Sequence, residues 1–315
     1  MTSTTDRARA AMMGAAVADA ATMGFHWLYD QARIAEVAGD EPEFRAPNKA
    51  DFQDKGYFAH GGKTPGEASH YGAQMMAMAT AMAGQDGYTA DAYAGAFREW
   101  FDYGGRWVGY CDRPTRATLL AMAAAAADEQ PITTCGADDA QLPAISKLPV
   151  LVARHHDDPG LAEMVESAVR LTNDRDDSVA WGLATARMLA AAIHGASPAD
   201  AVAAAREGTT DQITKQIAAV HEMKSSTTAE VATAHALHCQ LEVAFPVLCH
   251  AILTAESYKD AVRANILAGG DNCGRSIPIG AVLGACFTGD DTRGIPTEWA
   301  AKLKAPGDFI TVVAG

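Results

Sequence analysis

The six cysteines of this 315-residue chain, at 111, 135, 239, 249, 273 and 286, form no CxxC pair. They are also too sparse for a disulfide framework, so reduced and mostly buried thiols are expected. Lys/Arg runs are missing too, and the formal net charge is -14. That balance repels phosphates and anionic membrane surfaces, which argues against nucleic-acid and membrane partners. Long apolar runs are absent: no stretch reaches the roughly 18 residues of a membrane span, and "MTSTTDRARAAMMGAAVADAA" lacks the apolar stretch of a signal peptide. A cytoplasmic location is the expectation. Low-complexity tracts are lacking as well, and 49% hydrophobic against 20% charged residues describes a folded chain, long enough to bury roughly three quarters of its unfolded surface.

Alternating β-branched and polar residues are scarce. Alanine and methionine at helical spacing take their place, in "HYGAQMMAMATAMAG" (70–84), "RATLLAMAAAAADE" (116–129) and "DSVAWGLATARMLAAAIHG" (177–195). The spacing predicts an all-α protein of about a dozen helices in one domain, residues 1–315, packed as an orthogonal bundle. Thr5-Asp6, Thr89 and Ser197-Pro198 are positioned to open helices, and Gly84, Gly195 and Gly208 to close them. Small residues at Gly14, Ala18, Gly182 and Ala186 permit close helix approach. Two segments depart from the pattern: an irregular stretch from about Asp40 to Gly66, and a "DFITVVA" tail at 308–314 that reads as a strand or edge extension.

Polar groups interrupt the helical pattern in "VADAATMGFHWLYD" (17–30), "TPGEASHYGAQM" (64–75), "CGADDAQLPAISKLP" (135–149) and "AGGDNCGRSIPIGAVLGACF" (268–287). Each lies where a turn meets a helix, which is where a helical fold builds sites. The first and last of these resemble the two ends of the ADP-ribosylglycohydrolase family, an all-helical fold that removes ADP-ribose using two magnesium ions. The resemblance runs from about Arg9 to Lys304. It rests on a G-x-x-x-G-D opening (Gly14 to Asp19, with Ala18 in the second glycine position), on "GGDNCG" where the family has GGDTDT, and on "GIPTEWAAKL" (294–303). "GADDAQLPAISKLP" and "GGDNCGRS" are nearer to the crystallin J branch, which includes lens structural proteins.

The resemblance implies carboxylates that this chain lacks. His70, Tyr71, Gly72 and Ala73 stand where the family's T-D-D-T run supplies ligands. Asp271 remains in the closing motif, but Cys273 and Gly274 replace its partners, and the early glutamate position falls near His26. Magnesium needs several hard oxygen ligands, so the two-magnesium centre is expected to be absent and no cofactor is expected. Three readings of the remaining residues stay open. In the first, histidines and Tyr71 fill the vacated volume while Asp271 caps the last helix and bonds Arg275. In the second, a metal-independent hydrolase or lyase acts on an ADP-ribosyl or related glycosyl small molecule, with Asp271 or Asp139 as base, a histidine such as His70 as acid, and Tyr71 and Cys273 in support. In the third, zinc or iron sits on His26, His70, Asp271 and Cys273, or Cys273 is a nucleophile. His26, Trp27, Asp138, Gly270, Asn272 and Arg275 are the candidate ligand-binding residues, the "AGG" turn offering amides to an anion. Asn173 stands where the resemblance implies a histidine.

Three other features carry no chemistry. His155-His156-Asp157-Asp158 reads as a polar turn between helices, and adjacent positions on a helix point about 100° apart. Cys239 and Cys249 with His235, His238 and His250 match no structural zinc spacing. "GYFAHGGKTPG" (56–66) lacks the ending of a P-loop.

Overall fold

A computed structural model describes residues 2–304; the 308–314 tail lies outside them. The described residues contain helices and no strand, with three isolated β-bridges. Seven helices position the site: α1 (Thr4–Thr22), α2 (His70–Met82), α3 (Arg113–Ala127), α4 (Asp176–Ile193), α5 (Leu241–Leu253), α6 (Tyr258–Ala268) and α7 (Asn272–Cys286). The expected dozen is an undercount. Four-residue turns such as Lys49–Phe52, Pro143–Ser146 and Thr297–Ala300 are too short to carry a readable period.

The helix ends follow the chain's punctuation. Thr89 and Ser197 cap as expected, whereas α1 is capped by Ser3, with Asp6 returning the bond from the third helical position. Gly84, Gly195 and Gly208 take the left-handed backbone just beyond their helices.

No helix pair packs over a longer stretch than α1 and α7. The reason is glycine: a Cβ on Gly14 would lie 2.2 Å from the Gly280 carbonyl oxygen, and one on Gly280 2.3 Å from that of Gly14. Ala10 meets Gly284 further along, so the two helices run antiparallel and backbone meets backbone. The end of α1 therefore lies at the start of α7, which brings the residues after Thr22 together with the turn before Asn272. Around this pair one continuous apolar core takes in α2, α4, α5 and α6. No described helix is long and apolar enough to cross a membrane.

Candidate functional site

Five chain segments deliver polar side chains to one point. The first is the turn after α1. A short 3-10 turn, Met23–Phe25, leads to His26 and Trp27. Trp27 has φ 63°, a left-handed backbone costly for a bulky residue. Its N–H donates to the Gly270 carbonyl (2.8 Å) and its carbonyl accepts from Tyr57 N–H (3.0 Å), so both neighbours hold it there.

The second segment is the irregular stretch of 40–66, folded back onto this turn. A Cβ at Gly56 would lie 2.1 Å from the Trp27 carbonyl oxygen, so only glycine permits the approach that delivers His60. The third is the first turn of α2. Ser69 caps α2 and is itself gripped by Asp19 of α1, through its N–H (2.8 Å) and its hydroxyl (2.5 Å). Gly72 is required beside that grip, because a Cβ there would meet Asp19 Oδ2 at 2.2 Å. His70 and Tyr71 are thereby fixed in the first turn. Asp112, the N-cap of α3, and Asp271, the N-cap of α7, complete the set.

The network is continuous. His60 Nε2 lies 2.8 Å from His26 Nδ1, and His26 Nε2 lies 3.1 Å from Asp271 Oδ1. Asp271 Oδ1 also accepts from Gly274 N–H (3.1 Å), and its Oδ2 accepts from the Tyr71 hydroxyl (2.5 Å). Burial disfavours the Asp271 charge, but the bonds from His26 and Tyr71 outweigh it and hold the carboxyl below its ordinary range. Burial also pushes the His26 imidazole down to about 4, with Asp271 pulling the other way, and pushes His60 well down. His70 Nε2 approaches Asp112 Oδ2 at 3.4 Å without aligning as a hydrogen bond. Both His70 nitrogens, His60 Nδ1, Asp112 Oδ2 and the Trp27 indole nitrogen lack hydrogen-bond partners, although all are buried. Trp27, Tyr57 and Tyr110 pack edge to face over the histidines, with Tyr57 more than half exposed.

Several expected residues turn out otherwise. Asp271 caps α7 as read, but the Arg275 side chain does not bond its carboxylate: the buried guanidinium donates to Asn265 Oδ1 (2.9 Å) and the Gly269 carbonyl (2.5 Å). The "AGG" turn offers no amide to an anion. The N–H groups of Gly269, Gly270, Asp271 and Asn272 donate to the carbonyls of Ile266, Leu28, Leu237 and Gly270. Asn272 is buried, with its side chain directed to the Phe25 carbonyl. Cys273 does not join the histidines. Its thiol lies by Ser69 and Asp19, where burial drives it well above the ordinary range, the opposite of an activated nucleophile. Asp138 and Asp139 lie in a neighbouring cleft of about 220 Å³ with Arg113, Arg175, Trp181 and Gln240. Asp139 pairs with Arg113, and Asp138 with Arg175 at 3.1 Å. Arg113 directly follows Asp112 in sequence, so the cleft adjoins the histidine centre.

His60, Asp112 and Tyr110 were not among the sequence candidates. His60 lies in the irregular 40–66 stretch, where no helical period marks a single residue, while "CDRPT" carried a readable cap signal at Asp112 followed by Pro114.

The sequence profile of the ADP-ribosylglycohydrolase family matches residues 1–315. The chain belongs to the ADP-ribosylglycohydrolase family. It is similar to Crystallin J1A of Tripedalia cystophora, 25% identical over 317 residues and covering 97% of this chain and 94% of that one. Crystallin J1B of the same animal is 26% identical over 313 residues, covering 94% and 92%. A solved structure titled "ADP-ribosylglycohydrolase-related protein complex" shares the fold at a TM-score of 0.76 and 17% identity, covering 100% of this chain and 98% of that one.

The family implies magnesium, which the residues at this site do not fit. Among the described residues the grouping of metal-ligand type is three histidines, with ligand atoms all within 4.8 Å of one another. These are nitrogen donors, whereas magnesium asks for oxygen. Both Asp271 oxygens already accept hydrogen bonds.

Proposed function

We propose that this member of the family is a hydrolase or lyase acting on an ADP-ribosyl or related glycosyl small molecule, without a magnesium pair. The observation that carries the reading is the set of polar atoms without a hydrogen bond at His60, His70 and Trp27, beside a His70–Asp112 pair that meets only at 3.4 Å. Each buried, unsatisfied group costs on the order of 1–3 kcal/mol, and side chains that merely fill vacated volume have no reason to concentrate that cost at one point. A ligand or water arriving there would satisfy them.

In this reading the cleft of Arg113, Arg175 and Trp181 receives the charged part of the substrate, and the scissile bond lies toward Asp112 and the histidines. The attacking water is activated at the histidine centre. Asp271 acts through His26 rather than on substrate, since its oxygens are occupied by His26, Tyr71 and the Gly274 amide. Departure of the glycosyl group through an oxocarbenium-like state needs a positioned proton donor and base, which a histidine centre backed by carboxylates can provide. Trp27, Tyr57 and Tyr110 must part to admit the ligand.

A second reading, a non-catalytic ADP-ribose-binding or structural protein, is favoured by the closure of the centre: His26, His60 and His70 are 1%, 3% and 1% exposed. Calorimetric titration with ADP-ribose, followed by turnover assays on ADP-ribosyl conjugates without added magnesium, separates the two. Micromolar binding that Arg113→Ala weakens, with turnover that Asp271→Ala abolishes in a folded protein, is the expected result. Binding without turnover across N- and O-linked conjugates supports a non-catalytic ADP-ribose-binding protein, and neither binding nor turnover leaves the structural protein.

A further inference from the structure

We propose that His26, His60 and His70 hold one borderline divalent metal ion, with zinc the best match. The inference stands on the side chains alone and does not need the hydrolase reading to be right.

Three observations converge. The ring nitrogens of the three histidines lie within 4.8 Å of one another, inside a shell that excludes solvent. A tetrahedral zinc with nitrogen ligands at about 2.0–2.1 Å requires nitrogens roughly 3.3 Å apart, so side-chain shifts of an ångström or so complete the site. The separation of 2.8 Å between His26 Nδ1 and His60 Nε2 is a hydrogen bond that His60 Nε2–H donates when the His26 proton sits on Nε2. A metal ion between the two nitrogens would take the place of that proton.

The second observation is what stands behind the rings. Asp271 accepts from His26 Nε2, which places the proton there and leaves Nδ1 with its lone pair directed at the centre. Asp112 stands 3.4 Å behind Nε2 of His70. A carboxylate bonded behind His26 is the outer support that metal-binding imidazoles characteristically have, fixing tautomer and ring angle, and Asp112 faces His70 from the matching side. The third observation is His70 Nδ1, buried without a hydrogen-bond partner although Asp112 faces the other nitrogen of the ring.

Three neutral imidazoles select a borderline metal over magnesium or calcium, and three protein ligands leave a fourth position for water or a ligand oxygen. The site differs from a His26, His70, Asp271 and Cys273 set: His60 enters as a ligand, Asp271 moves behind His26, and Cys273 stands apart beside Ser69.

The full chain, stripped with a chelator, is titrated with zinc by calorimetry and with cobalt by visible absorption. One ion per chain is expected, with cobalt bands of a nitrogen- and oxygen-bound tetrahedral site and no thiolate charge-transfer band. His60→Ala should weaken zinc binding at least 100-fold, Asp271→Asn about 10- to 100-fold, and Cys273→Ser not at all. No stoichiometric binding by the wild-type chain overturns the proposal, as does a thiolate band or binding that survives His60→Ala. The cobalt spectrum of the wild-type chain decides the ligand type even where a variant fails to fold. Because no substrate enters these measurements, their failure leaves the hydrolase reading to its own assays.

Discussion

Two buried polar clusters flank the first turn of α2, and they are built on opposite principles. On one side Asp19 and Ser69 form a closed unit: each carboxylate oxygen accepts from Ser69, whose hydroxyl in turn receives the Tyr71 amide. On the other side His26, His60, His70 and Asp112 lie equally deep, yet several of their polar atoms have no partner. Burial alone therefore does not separate structure from function here; satisfaction does. A cluster that closes on itself contributes to the fold, whereas one that remains open awaits something from outside.

The largest effect expected from breaking this contrast is on the closed side. Asp19→Ala leaves the Ser69 N–H and hydroxyl buried without their acceptor and loosens the cap of α2. A loss of about 3 kcal/mol in urea unfolding is expected. A loss under about 1 kcal/mol would mean that closure is no mark of a structural cluster, and the contrast would fail.

An intermediate case is Lys147, fully buried, with its ammonium on Thr172 Oγ1. Burial lowers it to about 7, against the pull of Asp112. Between about pH 7 and the ordinary lysine value the unfolded chain holds a proton that the folded chain does not. Stability should therefore rise with pH across that window. Lys147→Met should remove the rise and stabilise the protein by about 2 kcal/mol at pH 7. Thr172 Oγ1 retains Asn173 Oδ1 as a partner at 2.8 Å, so no new orphan forms. An unchanged pH slope in the variant, followed by chemical denaturation, would show that Lys147 is satisfied in the native state and belongs with the closed cluster.

The sequence made the architecture legible because helical spacing, caps and small residues such as Gly14 are local signals, whereas the pairing of Gly14 with Gly280 emerges only in the fold. It also showed that the site lies at helix termini, since polar residues break the apolar pattern only where turns meet helices. The composition of the centre was less accessible. Asp271, His26, His70 and Tyr71 sit on recognisable motifs, but His60 comes from a stretch without periodicity, placed by the single contact that Gly56 allows with Trp27. Cys273 shares a motif with Asp271, yet two positions along a helix point about 200° apart, enough to send the thiol toward Asp19 instead of the histidines. Arg275 was misassigned for a similar reason: proximity in sequence suggested Asp271, while a bond to Asn265 depends on how α6 packs against α7. Motifs locate a site, but side-chain direction decides its membership.

The smallest expected effect probes the open side and is the most diagnostic. In the metal-free chain, His60 has one side-chain hydrogen bond, to His26, and a buried nitrogen with no partner. Removing the ring with His60→Ala loses packing and exchanges one unsatisfied nitrogen, His60 Nδ1, for another, His26 Nδ1, so the net loss should stay within about 1.5 kcal/mol. With zinc at 100 times its dissociation constant the wild-type chain alone gains about 2.7 kcal/mol, because the ion binds the folded state. The gap between wild type and variant, measured by denaturation in chelator and then in zinc, should widen by that amount. A gap that is large in chelator and unchanged by zinc would place the histidines with Asp19 and Ser69, as a second closed cluster whose apparent orphans are satisfied within the native protein.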